Sequence, residues 1–392
     1  MTDVYIVSGV RTAIGTFGGS LKDTPPSGLG VVTAKEAIAR SGIPVDAIGH
    51  AVYGQVIPTQ PRDAYLARVI GIEAGLRIET PALTVNRLCG SGLQAIVSAA
   101  QSMLLGDCEA ALAGGAESMS RAPFQALDHR WGRKMGDSSL VDALSGSLTD
   151  PFNQVLMGIT AENIAERHAI DRDRQDELAV ESHRRAAAAM AEGRFDDQIV
   201  AVSVGRRGRE TGFRTDEHVR PQISREDLAG LRPAFKPDGT VTAGNASGIN
   251  DGAASVVLAT DDAVRRHGLR PLARLVSYAH AGVEPLYMGL GPIPATRTAL
   301  ARAGLSVDDL DVIESNEAFA AQACAVASEL GFDPGKVNPN GSGIALGHPV
   351  GATGAIITVK LIHELQRTGG RYGLATMCIG GGQGIAAIFE RM

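Results

Sequence analysis

The chain has 392 residues, enough for one large or two medium domains with substantial cores. Its 48 glycines, set against 4% aromatic residues, describe a molecule of turns and close backbone approaches rather than of ring stacking. A formal charge of -6 argues against nucleic-acid or anionic-membrane binding, either of which needs a concentrated basic face, so any phosphate recognition is expected to be local.

The first residues, MTDVYIVSGVRTAIG, run directly into a strand pattern without the basic, apolar and small-residue regions of a signal peptide. No apolar run approaches the ~18 residues of a membrane span. A cytoplasmic protein is expected. VYIV at 4–7, AVY at 51–53 and ALTV at 82–85 predict short strands, with helices at about 28–41 and 62–74 between them.

NRLCGSGLQA (86–95) then places Cys89 at the first turn of a helix that carries Leu93, Ile96, Val97, Ala100 and Leu104 and ends near Gly106. The helix dipole and the unpaired N–H groups of such a turn favour thiolate over thiol, which makes Cys89 a candidate nucleophile. AALAGGAESM supplies the next strand. The other cysteines, Cys108, Cys324 and Cys378, form no C-x-x-C pair, and no metal site is expected.

From about 119 to 250 the alternation stops. This polar insert contains QDELAVESHRRAAAAMAEG, a helix ending at Gly193, and its length predicts a lid or substrate-binding layer rather than a loop. After residue 254 the pattern resumes, with strands at about 255–259, 272–277, 310–314 and 373–378. VNPNGSG (337–343) echoes VNRLCGSG (85–92), which predicts a duplication with two equivalent helix starts facing one site.

Three further stretches change abruptly from apolar to polar or glycine-rich. In SNEAFAAQA (315–323), Asn316 and Glu317 open a helix over 316–330, where Asn316 caps the helix or holds a water or an imidazole. In NGSGIALGHPVGATG (340–354), His348 is either a turn histidine or a base toward Cys89. In CIGGGQG (378–384), Cys378 ends a strand at glycines whose N–H groups can crowd toward an oxyanion. GGGQG lacks the G-x-G-x-x-G order and precedes the strand-like IAAIFE, so a dinucleotide site is not predicted.

In this order and spacing, NRLCGSG, NEAFA, NGSGIALGHP and CIGGGQG resemble the thiolase family, in its bacterial acetyl-CoA acetyltransferase or β-ketothiolase branch. The resemblance covers essentially the whole chain and extends to FKPDGTVTAGNASGINDGAA (235–254), which is similar to the family's loop domain. It implies an α/β fold of two duplicated βαβαβαββ halves in a five-layered α/β/α/β/α core. The N-terminal half would be 1–118 completed by 251–269, the loop domain over the coenzyme A site 119–250, and the C-terminal half 270–392.

By the same resemblance, Cys89 carries the acyl group, His348 activates it, and Cys378 is the acid/base at the substrate α-carbon. Asn316 holds a water that with His348 makes one oxyanion hole, and the amides of Cys89 and Gly380 make the other. Coenzyme A contacts fall on Leu148, Met157, Arg220, Phe235, Ala243 and Ser247, with Met288 and Phe319 at the pantetheine end. No metal or separate cofactor is implied, since the substrates are themselves coenzyme A thioesters.

The implied reaction is the reversible condensation of two acetyl-CoA to acetoacetyl-CoA and CoA, in a homotetramer joined through the loop around 121–140. Leu156 stands where many short-chain members carry histidine. A more apolar wall gains about 0.8 kcal/mol per buried CH₂, which keeps longer 3-oxoacyl-CoA substrates and a broad 3-ketoacyl-CoA thiolase in view. Glu226 and Asp227 lie near the implied phosphate contacts without an evident use. A decarboxylating ketosynthase of the same superfamily has no need of Cys378, and a non-catalytic acyl-CoA or lipid-binding scaffold has no need of the whole set.

Overall fold

A computed structural model describes residues 2–206 and 209–392. The first half carries strands β1 (Val4–Thr12), β2 (His50–Gly54), β3 (Ala82–Val85), β4 (Ala110–Ser118) and β5 (Asn250–Thr260). The second carries β6 (Ala273–Gly282), β7 (Val312–Ser315), β8 (Tyr372–Ile379) and β9 (Gln383–Arg391). The helices that position the site are α1 (Pro26–Ser41), α2 (Leu66–Glu73), α3 (Ser91–Leu104), α4 (Met157–Arg167), α5 (Arg172–Ala191), α6 (Pro292–Ala303), α7 (Ala320–Leu330) and α8 (Thr353–Thr368).

Strand pairing lays the duplication open. The halves join where β1 meets β6, at Tyr5 with Arg274 and Ile6 with Ala273. Outward from that junction one half runs β1-β5-β4-β2-β3 and the other β6-β9-β8-β7, the same topological order. The third strand of the second half is reduced to a single bridge between Ile313 and Val337. Val337 opens VNPNGSG, so the two echoing stretches hold equivalent places. Their continuations are not equivalent. Beyond the second stretch, a one-turn helix, Gly343–Leu346, and the His348 turn come before α8 begins at Thr353, so the expected helix start is displaced.

The strands are apolar on both faces and feed different cores from alternate residues. In β4, Ala110 and Leu112 pack with Leu29 and Ala34 of α1 and Ile70 of α2. Ala111 and Ala113, on the other face, join Leu93 and Ile96 of α3. In the second half, Leu374 and Ile388 meet Ile293 and Leu300 of α6, while Ala375 and Met377 join Ile357 and Leu361 of α8. Helices α3 and α8 are therefore a shared middle layer, which gives the expected five-layered α/β/α/β/α order.

Some boundaries shift. The helix expected over 62–74 is a short 3₁₀ turn, Pro61–Tyr65, leading into α2. Strand β5 starts at Asn250, earlier than expected, because its first residues pair with the end of β4 at Asp251 and Ser118. The segment from 119 to 249 thus begins and ends at neighbouring points of the sheet, and midway Ile199 and Val200 pair with Arg11 and Thr12 of β1. Within it, Asp171 caps α5 by accepting the Arg174 N–H at 2.8 Å, and Gly193, at φ +69°, follows its end. Ala179 of α5 packs with Leu228, Ala320 of α7 and Ile344, which seats the insert on the second half. No helix among the described residues is long and apolar enough to cross a membrane.

Candidate active site

Cys89 sits on a tight elbow between β3 and α3. Leu88 takes a left-handed conformation at φ +46°, which for a leucine costs about 1–3 kcal/mol. Local hydrogen bonds hold it there: Asn86 Oδ1 accepts the Leu88 N–H at 2.9 Å, and Ser91 Oγ accepts from Arg87 N–H at 2.8 Å while donating to the Leu88 carbonyl at 2.7 Å. A methyl group on Gly90 would stand 2.6 Å from Ile379 Cδ1, so only glycine lets the elbow press against β8. Helix α3 starts two residues beyond Cys89, and burial raises the thiol's pKa. The backbone amides of Gly380 and Cys89 pull it down without prevailing, and the Glu117 carboxyl adds to the rise. At rest Cys89 is a thiol, not the thiolate its place near a helix start suggests, and it requires a base.

His348 supplies a ring of the right kind. Its turn is built by Gly347 at φ +109°, where a side chain would collide with Asn250. The Asn250 amide accepts the His348 backbone N–H at 2.9 Å and donates to the Gly15 carbonyl at 3.0 Å. The ring's Nδ1 lies 2.6 Å from Thr353 Oγ1, and its buried Nε2 has no hydrogen-bond partner among the described residues. Burial pulls the imidazole down to about 4, so it is neutral at physiological pH.

The helix expected to start at Asn316 starts at Ala320. Asn316 follows β7 and is still tied to the sheet, its N–H donating to the Thr376 carbonyl at 3.0 Å. Beyond it the chain stays extended because Ser247 donates to the Ala318 carbonyl at 2.9 Å and Ala320 to the Asn245 carbonyl at 2.8 Å. Asn316 therefore caps no helix. Its carboxamide is fully buried, and neither Oδ1 nor Nδ2 has a partner among the described residues. A buried amide in that state is suited to receive a water or a ligand atom. Glycine at 343 preserves its space, since a methyl there would come within 2.8 Å of Asn316 Oδ1.

Cys378 is fully buried near the end of β8, where burial and then the nearby Cys89 push its pKa strongly upward. Cys89, His348, Cys378 and Gly380 line one cavity of about 60 Å³, walled by Leu148, Met157, Ser247, Met288 and Phe319. Phe235 stands behind Phe319, edge to face at 6.2 Å between ring centroids. Ala243 is exposed and Arg220 lies in a separate groove, so neither lines the cavity. Asp227, beside Arg220, is occupied in a cap, accepting from Ser224 N–H and Oγ at 2.9 and 2.8 Å. Leu156 is also off the wall: it precedes α4 and is 44% exposed. A larger cleft of about 690 Å³, containing Arg174, Cys324 and Phe332, holds none of Cys89, His348 and Cys378.

Sequence reasoning missed three supporting residues, Asn250, Thr353 and Glu117. Thr353 is one helical turn beyond Pro349, a spacing that was open to detection. Glu117 gave no local signal, because its partners are remote backbone amides: Val56 at 2.9 Å, Ile57 at 3.2 Å and Gly351 at 2.9 Å. It ties the two loops that supply the Val56 and Val350 walls of the cavity. Burial raises its pKa to about 8, the backbone amides opposing.

Two family models match the chain, "Thiolase, N-terminal domain" over residues 4–262 and "Thiolase, C-terminal domain" over residues 269–391. The chain is 64% identical to "Beta-ketothiolase BktB" of Cupriavidus necator, over 100% of this chain and 99% of the relative. It is 49% identical to an "Acetyl-CoA acetyltransferase" of the same organism, with 100% of both chains covered. The crystal structure of human mitochondrial 3-ketoacyl-CoA thiolase in complex with CoA superposes with a TM-score of 0.97 at 45% identity, over 100% of this chain and 98% of that one.

Proposed function

Since the chain belongs to the thiolase family, acyltransferases acting on coenzyme A thioesters, we propose that it catalyses the reversible condensation of two acetyl-CoA through an acyl-Cys89 intermediate. The observation that carries this reading is the meeting of Cys89, the unpartnered Nε2 ring of His348 and Cys378 in one buried cavity.

In the first half-reaction His348 Nε2 takes the Cys89 proton as the sulfur attacks the acyl carbonyl. The amides of Cys89 and Gly380 receive the developing oxyanion. Cys378, a thiol at rest, gives its proton to the leaving coenzyme A thiolate. As a buried thiolate it is then a strong base, and it removes a proton from the α-carbon of a second acetyl-CoA. The enolate oxygen is received by protonated His348 and by a water on Asn316. The enolate attacks the acyl carbon, Cys89 leaves, and His348 returns its proton to that sulfur. The sum is acetoacetyl-CoA plus CoA, with every group restored. A thioester intermediate suits exchange with another thioester, because it sits in no deep energy well.

The coenzyme would run along Leu148, Met157, Phe235, Ala243 and Ser247 toward Met288 and Phe319, under the 119–250 segment, with Arg220 reaching its phosphates from the outer groove. A second reading, a β-ketothiolase of broader chain length, is favoured by the apolar Met157 and Met288 walls, since methionine adapts to ligands of different shape, and by the similarity to a protein named β-ketothiolase. Thiolysis of acetoacetyl-CoA beside longer 3-oxoacyl-CoAs, with Cys89→Ala as control, separates the two. Undiminished turnover by Cys89→Ala refutes both.

For the assembly the reading is a homotetramer, supported by apolar side chains left exposed in one loop. In the loop around 121–140, Trp131 is 92% and Met135 89% exposed, beside exposed Phe124 and Leu127. Light scattering of the native chain is expected to give four copies, and Trp131→Ser to reduce that number. A monomeric native chain excludes the arrangement.

A further inference from the structure

The contacts of His348 do more than fix its position; they restrict which nitrogen carries its proton. Thr353 Oγ1 lies 2.6 Å from His348 Nδ1 and 2.9 Å from the Pro349 carbonyl oxygen, and all three groups are buried. A hydroxyl has one hydrogen. The carbonyl has none to offer, so the Thr353 hydrogen must lie on the line to Pro349; otherwise two oxygens face each other at hydrogen-bond distance with nothing between them. Toward His348 the hydroxyl then presents only lone pairs. The ring has to be the donor of that bond, through Nδ1–H.

A neutral imidazole with its proton on Nδ1 leaves Nε2 as a bare acceptor. Nε2 is the ring atom without a partner among the described residues, and the ring lines the cavity that holds Cys89. The reverse tautomer would leave Nε2–H without an acceptor among the described residues and would set two acceptors, Nδ1 and the Pro349 carbonyl, against the single Thr353 hydrogen. Each costs free energy for a buried polar group.

We propose that Thr353 is a positioning residue for the acylation step: acting through His348, its hydroxyl selects the Nδ1–H tautomer and so keeps Nε2 free to take the Cys89 proton. This rests on the reading of His348 as the base for Cys89. The arrangement has a structural economy, since the residue that sets the tautomer is the first of α8, whose backbone also fixes the direction of the Thr353 side chain. Burial keeps the ring neutral well below physiological pH, so the choice of tautomer matters throughout the working range.

Neutron diffraction from deuterium-exchanged crystals of the unmodified protein decides the point directly. Deuterium on His348 Nδ1 and none on Nε2 is expected; deuterium on Nε2 overturns the proposal, whatever the activity. Kinetics supply the second arm. Thr353→Val is expected to slow alkylation of Cys89 and to lower kcat for thiolysis about 10- to 100-fold, with KM changed less than about twofold, while Thr353→Ser stays within about threefold of the native rate. Native kcat in Thr353→Val also overturns it. Should Cys89→Ala prove active, the reading of the site fails, yet the deuterium position still reports on Thr353.

Discussion

Gly92 and Gly354 face each other across the middle helix layer, each kept bare by the backbone of the other's helix. A methyl on Gly92 would stand 2.6 Å from the Ala355 nitrogen, and one on Gly354 2.3 Å from the Leu93 nitrogen. The N-terminal ends of α3 and α8 are thereby in contact, and with them the Cys89 elbow and the His348 turn. Side chains at this crossing would push apart Cys89 and His348, the two groups proposed to exchange a proton.

Gly92→Ala and Gly354→Ala are each expected to cost about 1–3 kcal/mol of stability through overpacking. Both should also slow Cys89 alkylation, because the strain is relieved by separating the helix ends. Urea unfolding and the alkylation rate check this; an unchanged midpoint with native turnover would show that the crossing has room to spare.

In the proposed reaction Cys378 assists the departure of coenzyme A during acylation but is indispensable only as the α-carbon base. Cys378→Ala is expected to accept an acetyl group on Cys89, seen by intact-protein mass spectrometry, yet to condense about 10²–10⁴-fold more slowly. Condensation at the native rate would place the α-carbon base elsewhere.

Glu117 contributes a pH dependence whose sign is set by its raised pKa. Folded, it titrates at about 8; unfolded, near 4.5. Between those values the folded chain retains a proton that the unfolded chain has lost. Its contribution to stability is complete below the unfolded value and disappears as pH rises through the folded one. The stability of the native protein relative to Glu117→Gln should therefore fall from pH 5 to 8, at no more than about 1.4 kcal/mol per pH unit. Urea midpoints at matched pH test this, and a difference that grows with pH contradicts it.

Lys360 and Glu314 form an ion pair at 2.7 Å with both side chains essentially inaccessible. Lys360 also donates to the Gly341 carbonyl at 2.6 Å, linking α8 to the turn before His348. Lys360→Met is expected to cost about 3–5 kcal/mol by leaving a buried carboxyl unpaired. Adding Glu314→Leu should recover much of that loss. If the double variant is no more stable than the single one, the pair's value lies in the geometry it imposes rather than in its charge balance.

The architecture was legible because alternate residues of each strand feed different cores, which leaves continuous apolar runs between glycine-rich turns. That Cys89, His348 and Cys378 share one cavity follows a related signal: each stands at a break where an apolar element turns abruptly into small residues. The helix expected at Asn316 starts later, since Asn-Glu before an alanine-rich run has the composition of a helix cap. Tertiary bonds from Asn245 and Ser247 keep that run extended for four more residues, and nothing nearby in sequence signals them. The thiolate expectation at Cys89 failed similarly, because a local reading registers the helix start and not the desolvation imposed by β8 and the insert. Glu117 lay beyond reach for the same cause, its partners being amides about 60 and 234 positions away.

The return of the insert to its starting point has a consequence for how the chain is made. Strand β5 lies between β4 and β1, and β4 has been synthesised long before Asn250 leaves the ribosome. Until then β1 and β4 each present an open edge, and the first sheet is divided. Closing it brings together residues separated by more than 130 positions, an entropic cost met before any long-range contact forms. Newly made chains paused before residue 250 should be the species most prone to aggregate, and the most dependent on a chaperone that shields unpaired strand edges.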